Sequence, residues 1–194
     1  MHPIPTRVPG LVYYENMVPD SFHDDFVKQL NTAYYEQNVG HYDGFSFRDD
    51  NAFDAVFYPM VKCLFQKMKA LKIFKACSGN KLKLGCSLIG YEKNGFIKRH
   101  IDAPNLSGDT VVVFSFYSPC VIHFYQENST HKHEKIMISH KSMYVMSGES
   151  RYQWSHEILA NDDQFNGKPF TRAKRYSLLL FEPGSAYQEE ILAF

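Results

Sequence analysis

Three side chains have the types and spacing of a metal site: His100, Asp102 and His156. His100-Ile101-Asp102 stands between Gly95 and Thr110–Ser118, a stretch with the pattern of a strand. In an extended segment residues two apart point the same way, so one imidazole and one carboxylate converge. A second histidine from a neighbouring strand completes a facial set of three ligands with open positions, which suits non-haem Fe(II). His156, in Trp154-Ser155-His156-Glu157-Ile158, is the natural third ligand. The spacing alone is weakly specific. Nine histidines and 21 acidic residues in 194 positions give roughly one His-x-Asp/Glu by chance. Three pairs with Asp are present. His23-x-Asp25 falls in a helical pattern, where residues two apart diverge, and His41-x-Asp43 falls in a loop. The pair at His100 has strand context, a downstream histidine and a later basic residue on a strand.

That basic residue is Arg175, which opens the apolar run Arg175-Tyr176-Ser177-Leu178-Leu179-Leu180-Phe181. A guanidinium in such a strand is costly unless paired, and a carboxylate fits its planar fork best. The carboxylate of a bound ligand meets that need, and so does an internal partner such as Glu92 or Glu149. His131-x-His133 sits in a polar hairpin, where solvent exposure or adventitious metal binding accounts for it.

The elements that must position these residues follow from periodicity. Asp20-Ser21 caps a helix whose apolar face is Phe22, Phe26, Leu30 and Ala33/Tyr34. Polar loop residues follow at Gln37–Asp43. A second helical stripe runs through Phe53, Val56/Phe57, Met60, Leu64, Met68 and Leu71, with Pro59 implying a kink or a late start. Both stripes read as core faces. From Lys81 the pattern changes to short strands: Leu82–Tyr91, Thr110–Ser118, Val121–Gln126, Lys135–Ile138, Lys141–Met146 and Arg175–Phe181, with Ala160–Lys174 as a long loop. Helices followed by many short strands predict an α+β fold: an antiparallel barrel or jelly roll with the N-terminal helices packed on one side. One domain over 1–194 is expected, helical to about residue 80 and jelly-roll core over about 81–184.

Together these residues resemble the AlkB family of Fe(II)/2-oxoglutarate dioxygenases, over about Leu84 to Gly184. The resemblance implies a double-stranded β-helix, His100, Asp102 and His156 as iron ligands, and 2-oxoglutarate and dioxygen as co-substrates. Tyr91 stands nine positions before the first ligand, as the family's strand Tyr does. Ser147-Gly148-Glu149-Ser150-Arg151-Tyr152 looks like the Gly-x-Ser/Ala-Arg-Tyr lead-in to the last ligand. Arg175 and Ser177 match the strand that holds the distal carboxylate of the co-substrate. Within the family, Ser115-Phe116-Tyr117-Ser118-Pro119, Arg151-Tyr152 through Leu159, and Pro183-Gly184 look most like the animal mitochondrial branch. Two positions depart from the pattern: Phe181 replaces the strand's second Arg, and Ile89 replaces an Asn. Weaker co-substrate affinity is therefore expected. The implied activity is hydroxylation of a C–H bond, with oxidative demethylation of an N-methylated base in RNA or DNA as the leading case. A protein side-chain substrate, or a non-catalytic interaction module, stands beside it.

Charge bears on the partner. The chain carries 21 Lys+Arg and 21 Asp+Glu, a net charge of zero, which excludes binding nucleic acid by bulk charge. The zero is segregated: residues 1–60 carry −6, 61–83 carry +7 and 84–194 carry −1. The Lys62–Lys83 strip is either a solvated helix face or a phosphate-tracking surface. Tyr42, Phe45, Phe47 and Arg48 lie where the family places its substrate lid, and base stacking on such rings is physically reasonable; Arg151 is added as a substrate contact. A composition of 44% apolar and 22% charged residues is globular. No run long and apolar enough to span a membrane occurs. Four scattered cysteines without CxxC spacing predict reduced thiols. A monomer in a reducing intracellular compartment is expected, cytoplasmic or nuclear. Mitochondrial placement follows from the resemblance, although the N-terminus lacks a transit-peptide pattern.

Overall fold

The computed structural model describes residues 2–32, 35–38, 44–47, 54–74, 83–129, 132–187 and 191–193. In chain order they form β1 (Leu11–Tyr14), α1 (Asp20–Thr32), β2 (Tyr35–Asn38), β3 (Gly44–Phe47), α2 (Asp54–Ala70), β4 (Lys83–Tyr91), β5 (Ile97–His100), β6 (Ser107–Phe116), β7 (Cys120–Gln126), β8 (His133–Ile138), β9 (Met143–Ser147), α3 (Glu149–Tyr152), β10 (Trp154–Ile158), β11 (Gln164–Phe165), β12 (Lys168–Pro169), β13 (Arg175–Pro183) and β14 (Ile191–Ala193).

The strands form an eight-stranded sheet, β1-β9-β6-β13-β4-β3-β2 with β14 also on β4, and a four-stranded sheet, β5-β10-β7-β8. Every pairing in both is antiparallel. This is the jelly roll the strand pattern predicts. Its central strands are apolar on both faces because both faces are covered. On β6, Val112, Phe114 and Phe116 join one core while Val111 and Val113 join another. On β13, Tyr176, Leu178 and Leu180 belong to the first, and Leu179 and Phe181 to the second.

The first core lies under the helices. Phe26, Val27 and Leu30 of α1, and Met60, Val61, Leu64, Phe65 and Met68 of α2, recur at helical spacing and pack on the large sheet. The second core lies between the two sheets and contains Tyr91, Ile122, Phe124, Tyr144, Trp154 and Ile158. The functional candidates line this second core.

Three expectations about the elements change. The first third is not purely helical: β1 pairs with β9, and β2–β3 form a hairpin on the edge of the large sheet. Gln37 and Asn38, expected in a loop, end β2; residues 39–43 lie outside those described. The segment Ala160–Lys174 carries the hairpin β11–β12, turned at Asn166 and Gly167 with φ of 51° and 75°. Two positive φ values in succession are what an Asn-Gly hairpin turn supplies. The second helix begins at Asp54 and runs through Pro59. Among the described residues Cys63, Cys86 and Cys120 are free thiols; Cys77 lies outside them. Among the described residues no helix is long and apolar enough to cross a membrane.

Candidate metal centre

His100 and His156 are direct cross-strand partners of β5 and β10. Their rings lie 4.4 Å apart between centroids. Asp102 reaches the same point from outside the sheet, because β5 ends at His100. The rule that residues two apart share a face therefore does not place this carboxylate; the turn after β5 does. Asp102 Oδ1 lies 3.3 Å from His100 Nε2 and 4.0 Å from His156 Nε2. One ligand atom from each of the three residues falls within 4.8 Å of the others.

The Asp102 carboxylate suits a cation, and a cation at His100 Nε2 has to displace the proton that Asp102 favours there. His100 Nδ1 lies 2.8 Å from the Lys98 carbonyl oxygen, so it carries the proton and leaves Nε2 as the ligating nitrogen. Burial on its own raises the Asp102 carboxyl, yet the His100 hydrogen bond and the His156, His100 and Arg151 charges outweigh it and hold it down to about 2. Burial lowers His100, and its contacts with Asp102 more than restore it, so it sits above its ordinary value. Asp102 Oδ2 is buried and, among the described residues, has no hydrogen-bond partner. An ionised carboxylate with an unengaged buried oxygen beside two imidazoles is a donor set that fits Fe(II).

The cavity in front of these ligands is about 380 Å³. Its walls are largely apolar and include Ile89, Tyr91, Val113, Tyr144, Ser177 and Leu179 beside the three ligands. Arg175, 1% exposed, packs against two of these residues, Tyr91 and Ser177. It is the cross-strand partner of Tyr91, and its guanidinium lies 4.9 Å over the Tyr91 ring. Its Nη2 donates to Ser177 Oγ at 2.8 Å and to Ser115 Oγ at 3.4 Å. Among the described residues its Nε and Nη1 have no hydrogen-bond partner. Neither internal carboxylate takes the role: Glu92 pairs with Lys174 at 3.5 Å, and Glu149 lies exposed at the start of α3. A buried cation with two open donors is what the distal carboxylate of 2-oxoglutarate needs.

The departures from the family pattern have a structural basis. Phe181 is buried on the same face of β13 as Ser177, opposite Gly85 of β4. A Cβ on Gly85 would lie 2.4 Å from the Phe181 ring, and Tyr187 packs edge-on against that ring at 5.2 Å. The ring fills this corner, so no second guanidinium acts there. Ile89 lines the cavity wall as an apolar residue.

Other candidates fall differently. Arg151 is 1% exposed, with its donors on the carbonyl oxygens of Gly108, Asp102 and Ser107. Phe45 and Phe47 are on β3, where Phe45 pairs with Gly90 and Ser46 with Ile89, one strand from the cavity wall. Tyr42 and Arg48 lie outside the described residues. In the basic strip, Lys62, Lys69, Lys72 and Lys83 are exposed, whereas Lys67 donates to the Met17 carbonyl at 2.6 Å; Lys75 and Lys81 lie outside the described residues. His133 is not merely solvated: its Nε2 lies 3.0 Å from His123 Nδ1, and its ring stacks on Tyr125 at 4.4 Å. His123 in turn contacts Asp162. Tyr144 was missed by sequence reading, because a tyrosine in an apolar strand has no spacing signal.

Comparison with known proteins adds the lineage. The cattle protein named alpha-ketoglutarate-dependent dioxygenase alkB homolog 7, mitochondrial, is 28% identical over 102 residues, covering 52% of this chain and 46% of the relative. The chain thus spans less than half the length of that relative. A crab-eating macaque protein named tRNA (carboxymethyluridine(34)-5-O)-methyltransferase ALKBH8 is 37% identical over 68 residues, 35% of this chain and 10% of the relative. The solved structure of OsALKBH1 superposes with a TM-score of 0.57 at 18% identity, covering 93% of this chain and 100% of that one, and so shares the fold. The sequence description of the 2OG-Fe(II) oxygenase superfamily matches residues 10–180. With that match over most of its length, the chain belongs to the 2OG-Fe(II) oxygenase superfamily.

Proposed function

We propose that the protein is an Fe(II)/2-oxoglutarate-dependent dioxygenase that hydroxylates the methyl group of an N-methylated base in RNA or DNA. The observation that carries the reading is the pairing of two complementary sites across one cavity. A His-Asp-His set lines it, and a buried Arg175 with two open donors packs against Tyr91 and Ser177 of its wall. Fe(II) with 2-oxoglutarate and dioxygen supplies the oxidising power: one oxygen atom enters succinate as CO2 leaves, and the other enters the C–H bond. A hydroxymethyl group on nitrogen then releases formaldehyde and returns the N–H.

The residues of the chain do the rest. His100, Asp102 and His156 would hold the iron on one side and leave the cavity side open. Arg175 and Ser177 would receive the distal carboxylate, with Tyr91 fixing the guanidinium plane. Apolar walls from Ile89, Val113 and Leu179 exclude water, which strengthens the ionic contacts at the back of the site. A base presented to this cavity must leave its stack. Phe45 and Phe47, with Tyr42 and Arg48, are the proposed stacking residues, and exposed lysines of the Lys62–Lys83 strip the proposed phosphate contacts. The naming of a macaque relative for tRNA modification supports a nucleic-acid substrate. The cattle relative's name makes mitochondria the first compartment to examine by fractionation.

Two measurements test this. Anaerobic addition of Fe(II) and 2-oxoglutarate should give a visible charge-transfer band that Asp102→Ala loses. A panel of N-methylated RNA, DNA and peptides should then show succinate and formaldehyde formation with nucleic acid. Formaldehyde from peptides alone moves the substrate to a protein side chain. Neither band nor succinate sinks the enzyme reading and leaves a non-catalytic jelly roll.

A further inference from the structure

Asp102 is the one member of the metal set that no strand holds, since β5 ends at His100 and β6 begins at Ser107. The segment between them is exposed from Ala103 to Leu106. Its own turn is fixed by Leu106 and Ser107 N–H groups donating to the Ala103 carbonyl, both at 3.0 Å. Those bonds shape the turn, but they do not touch Asp102.

Arg151 does. Its Nη1 donates to the Asp102 carbonyl oxygen at 2.7 Å, and its Nε to that of Gly108 at 2.9 Å. Its Nη2 donates to the Ser107 carbonyl and to Ser107 Oγ, the latter at 2.9 Å. One planar group thus bridges both ends of the 102–108 segment. The backbone of Arg151 is itself anchored: it lies in α3, where its N–H donates to Gly148 at 3.2 Å and that of Ser150 to Pro9 at 2.8 Å. From there the chain enters β10, which carries His156. A single side chain therefore ties the turn that bears one ligand to the strand that bears another.

We infer that Arg151 is a positioning residue of the metal centre, holding the 102–108 backbone so that the Asp102 carboxylate points at the cation. The inference rests on the metal reading proposed above. A guanidinium suits the task because its donors lie in one rigid plane, and three carbonyl oxygens at different places along a turn cannot be spanned by an ammonium. Loosening the Asp102 backbone lets the carboxylate wander. The cost appears in metal affinity and ligand geometry, beyond any cost in folding.

The test uses the full chain and Co(II), whose visible bands report ligand geometry. No Co(II) binding by wild type, or binding that Asp102→Ala leaves intact, overturns the metal reading itself. Given wild-type binding, R151M is expected to bind Co(II) about 10- to 100-fold more weakly, with altered bands, at a temperature where circular dichroism shows it folded. R151K is expected to fall short of wild type as well, because charge alone does not restore the bridge. Leu64→Ala, which weakens the helix-side core, is expected to keep wild-type affinity and bands. R151M and R151K both binding like wild type, with unchanged bands, overturn the inference. A loss in Leu64→Ala equal to that in R151M also overturns it, since affinity would then follow general stability. If R151M does not fold, R151K carries the measurement. If neither folds, Ser107→Ala, which removes one Arg151 contact, takes their place: weakened binding supports the inference and wild-type binding overturns it.

Discussion

Arg175 shows how one residue can be costly for the fold and poised for a ligand. Its guanidinium is buried on the inner face of β13 with two donors unengaged among the described residues, a condition that lowers stability. A bound carboxylate removes the penalty. Arg175→Met should therefore unfold at no lower urea concentration than wild type when co-substrate is absent. The same variant should bind 2-oxoglutarate about 10- to 100-fold more weakly, the value of a charge-assisted pair, while Mn(II) affinity stays at the wild-type level. Calorimetric titration of each ligand checks both halves. Wild type should already bind the co-substrate more weakly than relatives with two arginines, because Phe181 fills the second position against Gly85 and Tyr187.

At the scale of elements, short pieces hold the long ones in place. β1 has four residues, yet it pairs with β9, the strand that brings Tyr144 to the cavity. Its entry turn depends on Gly10, at φ 83°, where a Cβ would lie 1.9 Å from the Ser147 carbonyl oxygen. Gly10→Ala combines a disfavoured backbone conformation with that clash, and should lower stability by about 1–3 kcal/mol. Urea denaturation reads the loss, and a wild-type midpoint would show that β1 does not need this approach. The β11–β12 hairpin, turned at Asn166-Gly167, is a second case, inside the segment expected to be a loop. Gln164–Phe165 and Lys168–Pro169, too short and polar for a strand pattern, gave no sign of it.

At the scale of the whole molecule, one sheet serves two cores. Its helix-side face is a buffer for stability, and its inner face carries the site. The candidate metal ligands come from β5, the turn after it and β10, so a cation held there would fasten the small sheet to the turn that leads into the large one. Saturating Mn(II) should accordingly raise unfolding free energy by about 2.7 kcal/mol at a hundredfold excess over its dissociation constant. Asp102→Asn should show no such gain in thermal melts with and without chelator. Net charge contributes little at this scale, being zero overall. Any role of the basic strip depends on its local density, and would show as salt-sensitive binding to RNA.

What the sequence determined by itself was local and periodic. Helical stripes at Phe26–Leu30 and Met60–Met68, strand runs such as Arg175–Phe181, and the types of His100, Asp102, His156 and Arg175 are legible because side-chain period and chemical type are written residue by residue. β1, β2, β3 and β14 were not legible, because three- and four-residue strands carry too few positions to show a period. Tertiary structure decided the rest. Pairing in register set His100 opposite His156 and Arg175 opposite Tyr91. It placed Asp102 by a turn where strand geometry had been expected, and it buried Arg151 against the Asp102 backbone. The physical reason is that a hydrogen bond between residues 49 positions apart, such as Arg151 to Asp102, leaves no mark on either residue's neighbours in the chain. It exists because two antiparallel sheets fold their ends to the same place.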